Sequence, residues 1–287
     1  MPIEQITISL KDKIESIRYK SGNDSSALTF ASLYMWASKW NLKIMISDDV
    51  YTVVEDMKEF PAFYFPCGET QSVKNQISSL KDEYPNLVFH YLRSCDAEML
   101  EHEFPGMFDI YSEPDNSEYL YSVENYCELS GGDYIRIRNR IRHAGNNADL
   151  STRPIDETNL HIITYLDDRW HEIKGFDKDV DSGAVRAFES EFFSVGGEGI
   201  IVYDGADPVA ATAGYPLSDS VFDYSYSKAI TDLKGLSDFS KNALAKSIRG
   251  RYKIINGEED LGVPGLRKMK ENMCPIGKIE MFTAVSI

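Results

Sequence analysis

Four arginines lie within eight residues of an otherwise acidic chain, at Arg136, Arg138, Arg140 and Arg142. At about 100° per residue, a helix here places Arg136 and Arg140 on one face and the other two on another. A guanidinium group makes planar, multidentate contacts with phosphate or carboxylate. The stretch predicts either a phosphate-binding surface or ion pairs with the segment 96–133, which holds 11 Asp and Glu and no Lys or Arg.

A second group of reactive side chains ends a strand predicted at 220–228. Alternation along that strand places Tyr224, Tyr226 and Lys228 on one face. A lysine ammonium at such a position can stabilise a developing oxyanion or bind a phosphate. The alternative is a solvent-exposed lysine at a strand end.

A polar loop follows a strand predicted at 252–256 and contains Asn256, Glu258 and Asp260. A carboxylate there can accept a proton from an amine nucleophile or bind a cationic amino group. The alternative is a polar turn that precedes a helix predicted at 264–271.

The elements that hold these residues follow from hydrophobic periodicity. In the first half it predicts helices at 26–38, 70–83 and 96–103, and strands at 43–47, 50–56, 60–65, 87–92, 108–112 and 117–122. In the second half it predicts helices at 183–195, 237–248 and 264–271, and strands at 200–204, 208–215, 220–228, 252–256 and 278–285. The connecting region 123–180 holds a helix at 133–144 and is expected to supply the first strand and helix of the second half.

The same order of elements recurs with an offset of about 157–167 residues. Helix, three antiparallel strands, helix, strand, helix, strand is typical of a GNAT-type acyltransferase domain. The sequence therefore predicts an α+β protein with mixed sheets and a tandem GNAT-like acyl-CoA N-acyltransferase fold. Residues 1–150 are predicted to form the N-terminal domain and 151–287 the C-terminal domain, which carries the cleft. In this fold the strand that ends at Lys228 splays from the next strand, and the gap holds the acyl donor.

Three stretches resemble the cytoplasmic catalytic domain of phosphatidylglycerol lysyltransferases and their soluble relatives. They are Leu129–Gly132 with Arg138–Ile141, Tyr226–Ala229, and Asn256–Gly262 continuing through Gly265–Lys268 to Lys270 and Pro275. Two positions depart from the family pattern: Gly257 replaces a basic residue, and a tyrosine near the final proline is replaced around Met273 and Cys274.

The resemblance implies a tandem GNAT-like fold and transfer of an activated acyl group. In the best-known members, an aminoacyl group passes from tRNA to a lipid hydroxyl. The predicted catalytic residues are Lys228, Asp260 and Glu258, and the predicted substrate-binding residues are Tyr224, Tyr226, Asn256, Arg138, Asn139 and Arg251. Two alternatives stay open: an acyl-CoA-dependent N-acyltransferase, and a non-catalytic binding protein that kept the fold.

The distribution of charge along the chain helps to decide which acyl donor is expected. The chain carries 30 Lys and Arg against 46 Asp and Glu, a net charge of −16, which argues against a dedicated DNA-binding protein. The segment 228–270 nevertheless holds ten basic and five acidic residues, so Lys241, Arg249 and Arg251 are predicted to form a local phosphate-binding surface near the cleft. Neither half has a convincing glycine-rich pyrophosphate loop. Aminoacyl-tRNA is therefore the favoured donor, with acyl-CoA as the alternative cosubstrate.

The remaining expectations concern compartment and ligands. The N-terminus has no basic region followed by an apolar run, and no stretch reaches the roughly 18–20 apolar residues of a membrane helix. The four cysteines form no CxxC pair, which favours reduced thiols in a cytoplasmic protein without a metal site. The expected acceptor is a small molecule or a lipid headgroup.

Overall fold

The computed structural model describes residues 1–55, 61–175, 177 and 180–287. Their contacts divide the chain into two compact units. The first unit comprises residues 1–118, 259–266 and 278–287, and the second comprises 119–258 and 267–277. The domain boundary predicted at residue 150 lies inside the second unit, which begins at residue 119. The first unit also includes two segments from the C-terminal part of the sequence.

The elements up to residue 112 are the strands β1 (Ile3–Gln5), β2 (Leu42–Ile46), β3 (Val50–Glu55), β4 (Ala62–Tyr64), β5 (Cys67–Gly68), β6 (Val88–Arg93) and β7 (Phe108–Ser112), and the helices α1 (Lys11–Ser21), α2 (Phe30–Trp36), α3 (Thr70–Glu83) and α4 (Ser94–Glu103). Residues 56 and 60 of the two strands predicted at 50–56 and 60–65 lie outside the described residues. The helix α1 is an addition to the predicted elements.

The elements from residue 118 onward are the strands β8 (Glu118–Ser122), β9 (Leu150–Pro154), β10 (Glu198–Asp204), β11 (Asp207–Gly214), β12 (Val221–Asp223), β13 (Tyr226–Ala229), β14 (Ile254–Asn256), β15 (Gly277–Ile279) and β16 (Met281–Ser286), and the helices α5 (Val123–Glu128), α6 (Ile135–Asn147), α7 (Ile162–Lys174), α8 (Ser182–Ser190), α9 (Leu236–Ile248) and α10 (Pro264–Glu271).

The first unit is built on one mixed sheet in the order β1-β2-β3-β4-β6-β16-β7, and β5 pairs with β3. Its neighbours are antiparallel except for β4 and β6, which run parallel with Phe63 opposite Phe89. The helix α3 buries Val73, Ile77 and Leu80 in the apolar cluster on this sheet. Their spacing of three to four residues is that of one helical face.

The second unit distributes its strands over two sheets, one in the order β13-β11-β10-β9 and one in which β12, β14 and β8 are neighbours in that order. The strand predicted at 220–228 is thus two strands in different sheets. The helix α9 packs against β10, β11 and β13, and it buries Leu236, Leu244 and Ile248 in the unit's apolar core.

The two predicted halves exchange their last strands. The C-terminal strand β16, predicted as part of the second half, lies between β6 and β7 in the first unit's sheet. The strand β8, predicted as part of the first half, pairs with β14 from Leu120 to Ser122 in the second unit. The assignment of these strands to their own halves was wrong, because period-2 alternation predicts a strand but does not name its partner.

Among the described residues, no helix is both long enough and apolar enough to span a bilayer.

Candidate functional site: the strand fork of the second unit

Two parallel strands of the second unit pair at one end and separate at the other. The strand β12 pairs with β14 from Val221 to Asp223, and the N–H of Tyr224 still donates to the carbonyl of Asn256 at 2.9 Å. Beyond this point the chain joins a different sheet, where Tyr226 of β13 lies opposite Ala213 of β11. We call this separation of β13 from β14 at Tyr224 the strand fork. It is the splay expected of the predicted fold.

A small cavity of about 10 Å³, room for about one water molecule, adjoins the strand fork. We call it the tyrosine cavity; its lining is Tyr121 from β8, Tyr126 from α5, Tyr224, Lys241 and Leu244 from α9, Ile255 from β14, and Met273. The lining is aromatic or apolar except for the phenol hydroxyls and one lysine.

Lys241 is the cation of the tyrosine cavity, and its side chain is buried, with the residue only 6% exposed. Its Nζ lies 3.1 Å from the Sδ of Met269 and 3.5 Å from that of Met273, and 5.5 Å from the centre of the Tyr224 ring. Thioether sulfurs are weak acceptors. Burial therefore lowers the pKa of Lys241 to about 8, a shift that Asp238 opposes and that Lys270 and Arg140 reinforce.

The three tyrosines keep their phenol protons. Burial raises the pKa of Tyr126, Tyr121 and Tyr224 above the ordinary value of a phenol. The hydroxyl of Tyr121 donates to the carbonyl of Lys270 at 3.0 Å. The hydroxyl of Tyr126 is buried and has no hydrogen-bond partner among the described residues. The tyrosine cavity therefore contains a hydroxyl whose hydrogen-bonding capacity is unused.

Lys228 lies apart from this cavity, in a buried ionic cluster. Its Nζ lies 2.6 Å from Asp181 Oδ2, 3.3 Å from Asp167 Oδ1 and 3.9 Å from the centre of the Trp170 ring. His171 Nε2 lies 2.8 Å from Asp181 Oδ1. The exposed strand-end alternative is thus wrong, since Lys228 is 7% exposed. Asp167, His171 and Asp181 have donor atoms within 4.8 Å of one another, and Lys228 supplies the positive charge between the two carboxylates.

The prediction that Tyr224, Tyr226 and Lys228 share one face is wrong for Tyr224. Tyr226 donates its hydroxyl proton to the carbonyl of Ile163 in α7, at 2.9 Å, and Lys228 contacts Asp167 of the same helix. Tyr224 instead packs beside α9 in the tyrosine cavity. The alternation fails because the chain leaves one sheet for another at Tyr224 and Ser225, so the regular pleat is interrupted there.

The polar loop after β14 is closed by its own groups. Asn256 is fully buried, and its Oδ1 accepts the N–H of Glu258 at 2.8 Å. Glu258 has a left-handed backbone, with φ of +56°. A Cβ at position 257 would lie 2.5 Å from the Tyr121 ring, so Gly257 is required by the tyrosine cavity itself. A basic side chain at position 257 would therefore require Tyr121 to move.

Asp260 belongs to the first unit and is fully buried. Its Oδ1 accepts the N–H of Gly262 at 2.9 Å, and its backbone carbonyl accepts the N–H of Val263 at 2.9 Å. These are the contacts of the polar turn that was the alternative for this loop.

Arg138 closes the loop before its own helix. Its Nη1 donates to the carbonyls of Leu129 and Gly131, the latter at 2.8 Å. The neighbouring Asn139 is exposed. Arg138 therefore contacts main-chain carbonyls, which neither of the two predicted alternatives included.

Three other arginines pair with carboxylates: Arg140 with Asp238, Arg249 with Glu124 and Glu128, and Arg251 with Glu198. Arg140 thus forms an ion pair, but the predicted partner segment 96–133 is wrong for it, because Asp238 lies in α9. The predicted surface of Lys241, Arg249 and Arg251 does not form, because Lys241 is buried while the two arginines are exposed. In α9, Lys241 precedes Leu244 by three residues and Ile248 by seven, which is the spacing of the apolar face and the signal that it is buried.

The arrangement of strands and helices in the two units assigns the protein to a fold class. Two units, each with a parallel strand pair next to a helix, form the tandem GNAT-like arrangement, which confirms the predicted α+β fold. The structure is similar to a tandem GNAT protein from the clavulanic acid biosynthesis pathway, with a TM-score of 0.50, 7% identity, and coverage of 99% of this chain and 98% of that chain.

The chain belongs to the family described as phosphatidylglycerol lysyltransferase, C-terminal, whose model matches residues 19–285. A conserved protein of unknown function from Bacteroides thetaiotaomicron has 24% identity and a TM-score of 0.91, with 100% of both chains covered. The structure of L-PGS from Bacillus licheniformis has 13% identity and a TM-score of 0.68, covering 98% of this chain and 92% of that chain. No curated protein matches the chain significantly. The predicted family resemblance is thereby confirmed.

Proposed function

We propose that this protein is a GNAT-like aminoacyltransferase that takes an aminoacyl group from aminoacyl-tRNA. The observation that carries the proposal is the strand fork of the second unit, which opens beside the tyrosine cavity. Membership of a family described as a lysyltransferase supports transfer of an aminoacyl group. A small molecule or a lipid headgroup remains the proposed acceptor.

The reaction is the attack of an acceptor nucleophile on the ester carbonyl of the donor. A bond forms between the nucleophile and the carbonyl carbon, negative charge develops on the carbonyl oxygen, and the ester C–O bond then breaks. The proton lost by the nucleophile ends on the hydroxyl oxygen released from the tRNA. The protein must therefore supply a base and stabilise the oxyanion.

The residues proposed for these roles are those that the sequence singled out. Lys228 is proposed to act on phosphate or oxyanion, although a ligand there must compete with Asp167 and Asp181 for its ammonium. Glu258 and Asp260 are proposed as base or as ligands of the donor's amino group. Tyr224, Tyr226, Asn256, Arg138, Asn139 and Arg251 are proposed to contact substrate.

Structure near α9 favours tRNA over acyl-CoA as donor. A pyrophosphate binds where backbone N–H groups at a helix N-terminus are accessible and glycines permit close approach. Gly235, the N-cap of α9, is instead covered by α6, since a Cβ on it would lie 2.0 Å from the carbonyl oxygen of Arg140. On α6, Arg136 and Arg142 are exposed and make no ion pair with the described residues, so they remain available for phosphates of a polynucleotide.

One observation favours the second candidate, a binding protein without catalysis. Lys228 is held by two carboxylates, and aromatic rings line the space beside the strand fork. A protein that had lost the chemistry would retain the cavity and bind a ligand without turnover. Activity measurements separate the two candidates.

The test offers the purified protein a panel of aminoacyl-tRNAs with hydroxylamine as a general acceptor, and it measures the aminoacyl hydroxamate formed above the uncatalysed rate. Binding of charged tRNA, uncharged tRNA and acetyl-CoA is measured over a salt series in parallel. We expect catalysed hydroxamate formation, preference for charged tRNA, and weaker binding as salt rises.

Tight acetyl-CoA binding without any tRNA binding would overturn the choice of donor. Binding of charged tRNA without turnover would support the binding protein instead. If Lys228→Ala and Asp260→Asn both leave the transfer rate unchanged, the catalytic roles proposed for these two residues are wrong.

A further inference from the structure

Three side chains of metal-ligand type converge beside Lys228 in the second unit. Asp167 and His171 are four residues apart on α7 and so lie on one face of that helix, and Asp181 is the N-cap of α8. One donor atom from each lies within 4.8 Å of the other two. Asp167 and His171 are buried, and Asp181 is half-buried. Two carboxylates and one imidazole are a donor set for a divalent cation.

The spacing of the donor atoms is close to that of a coordination shell. His171 Nε2 lies 2.8 Å from Asp181 Oδ1 and 3.5 Å from Asp167 Oδ1. In a tetrahedral zinc site with ligands about 2.0–2.2 Å from the metal, donor atoms are about 3.3–3.6 Å apart. A cation can therefore reach the three atoms after small movements of the side chains, and it takes the place of any proton on Nε2.

One oxygen of Asp167 is not satisfied by the described residues. Its Oδ2 accepts the hydroxyl proton of Ser182 at 2.7 Å. Its Oδ1 is buried and accepts no hydrogen bond from the described residues, although Lys228 Nζ and His171 Nε2 lie 3.3 and 3.5 Å away. A buried carboxylate oxygen in this condition is costly, and a metal ion would satisfy it. Ser182 would then orient the ligand from the second shell.

Lys228 contacts a different oxygen of Asp181. Its Nζ lies 2.6 Å from Oδ2, whereas His171 contacts Oδ1. A cation on Oδ1 can therefore bind without taking the oxygen that Lys228 uses. It would still repel the ammonium and neutralise the carboxylates that attract it. The two positive charges are thus competitors for the same pair of carboxylates.

We propose that Asp167, His171 and Asp181 bind a divalent transition-metal cation, for which Zn²⁺ is the probe, and that the bound cation loosens the hold of the two carboxylates on Lys228. Three protein ligands leave a fourth position for water or for a substrate oxygen, and the half-buried Asp181 gives access to it. The expectation of a protein without a metal site came from the cysteines, and none of these ligands is a cysteine.

This metal site goes beyond the proposed function and does not depend on it. Under that function, Asp167 and Asp181 compete with a phosphate or an oxyanion for the Lys228 ammonium. A cation that neutralises the carboxylates removes this competition. Metal binding would therefore make Lys228 available to substrate.

The first experiment titrates the chelator-treated full chain with Zn²⁺ alone and measures stoichiometry and affinity by calorimetry. We expect wild type to bind one equivalent at this site. Loss of a second-shell partner alone costs about 10- to 100-fold in metal affinity, so Asp167→Asn and His171→Gln are each expected to weaken binding at least about 100-fold. The matched control is His102→Gln, which changes an exposed histidine beside Glu103 and should leave the affinity unchanged.

The second experiment measures the competition between the cation and Lys228. Because coupling between two sites is reciprocal, Lys228→Met is expected to strengthen Zn²⁺ binding about tenfold or more. Lys246→Met, which changes an exposed lysine of α9, should leave it unchanged. A zinc site made by thiolates elsewhere in the chain would respond to neither change.

The inference is overturned if wild type binds no Zn²⁺, if Asp167→Asn and His171→Gln bind it as tightly as His102→Gln, or if Lys228→Met does not strengthen binding. The ligand variants and Lys228→Met are independent tests, so either decides the matter if the other fails to fold. Absence of transfer in the hydroxamate assay removes the proposed function and leaves the metal site to be decided by these titrations.

Discussion

Each unit of the molecule contains a parallel strand pair whose connection includes a helix, and the two pairs are packed in different ways. In the first unit β4 and β6 run parallel, and Phe65 and Phe89 meet with ring centres 5.5 Å apart. The helix α3 adds Val73 and Ile77 to the same apolar cluster. In the second unit the corresponding place beside β12 and β14 is the tyrosine cavity, with Lys241 from α9.

The difference shows that a parallel strand pair with a neighbouring helix does not by itself make a cavity. Aromatic and aliphatic side chains turn the first pair into ordinary core, which stabilises the fold. A lysine and three tyrosines turn the second into a space with unsatisfied polar groups, which costs stability. Three substitutions or pairs of substitutions test this contrast.

The largest expected effect is loss of core packing in the first unit. Ile77→Ala removes a fully buried side chain of α3 and is expected to lower the free energy of unfolding by about 3–5 kcal/mol. Leu244→Ala, its counterpart in α9, is expected to cost about 2–3 kcal/mol, because a side chain beside an existing cavity has fewer contacts to lose. Hydrogen exchange of β6 and β14 amides assigns each loss to its unit. Equal losses would contradict the contrast.

The second expected effect is an increase in the free energy of unfolding. Burial lowers the pKa of Lys241 from 10.5 to about 8, so the unfolded chain holds more protons between these pH values and stability rises with pH across that window. Below pH 8 the full cost of the buried ammonium remains. Lys241→Met is therefore expected to raise the free energy of unfolding at pH 7 by about 3 kcal/mol.

The measurement is denaturant unfolding of wild type and Lys241→Met at pH 7, 8, 9 and 10, with Lys246→Met as control. The groups whose charges act on Lys241 are Asp238, Lys270 and Arg140, and Tyr224 faces it, so the difference between variants is taken at each pH. The gain should shrink as pH rises toward 10.5. A constant difference at every pH would show that Lys241 is not the group responsible.

The smallest expected effect compares a buried tyrosine hydroxyl that has a hydrogen-bond partner with one that has none among the described residues. In the first unit, Tyr51 donates to the carbonyl of Leu28 at 2.6 Å, so Tyr51→Phe is expected to cost about 1–2 kcal/mol. Tyr126→Phe removes a hydroxyl without a partner among the described residues and is expected to be neutral within about 0.5 kcal/mol. Thermal denaturation of the two variants gives the comparison. A larger loss for Tyr126→Phe would mean that its hydroxyl is satisfied in solution.

Much of the fold could be predicted because its elements carry strong local periodicity. The helix α3 has the predicted bounds 70–83, and α10 has the predicted bounds 264–271. The break between β12 and β13 and the exchange of β8 and β16 could not be predicted, because both depend on which distant strand completes a sheet. Alternation fixes which side chains are buried but leaves the partner strand open.

The candidate site could likewise be predicted only in part from the sequence. The sequence located Tyr224 and the strand that ends at Lys228, and the family resemblance directed attention to the loop from Asn256 onward. It did not find Tyr121 and Tyr126, which reach the tyrosine cavity from β8 and α5, far away in the chain. The burial of Lys241 could have been predicted, because its spacing from Leu244 in α9 already indicates a buried position.

The exchange of strands also constrains how the chain is made. The strand β16, residues Met281–Ser286, lies between β6 and β7, so the first unit's sheet lacks an inner strand until these residues have been synthesised. Until then β6 and β7 present unpaired edges, which invite non-native association. Contacts between residues some 190 positions apart, such as Met281 with Arg93, also make folding slow. During synthesis both units therefore stay incomplete until the last residues of this sequence emerge, because the second unit also needs residues 267–277.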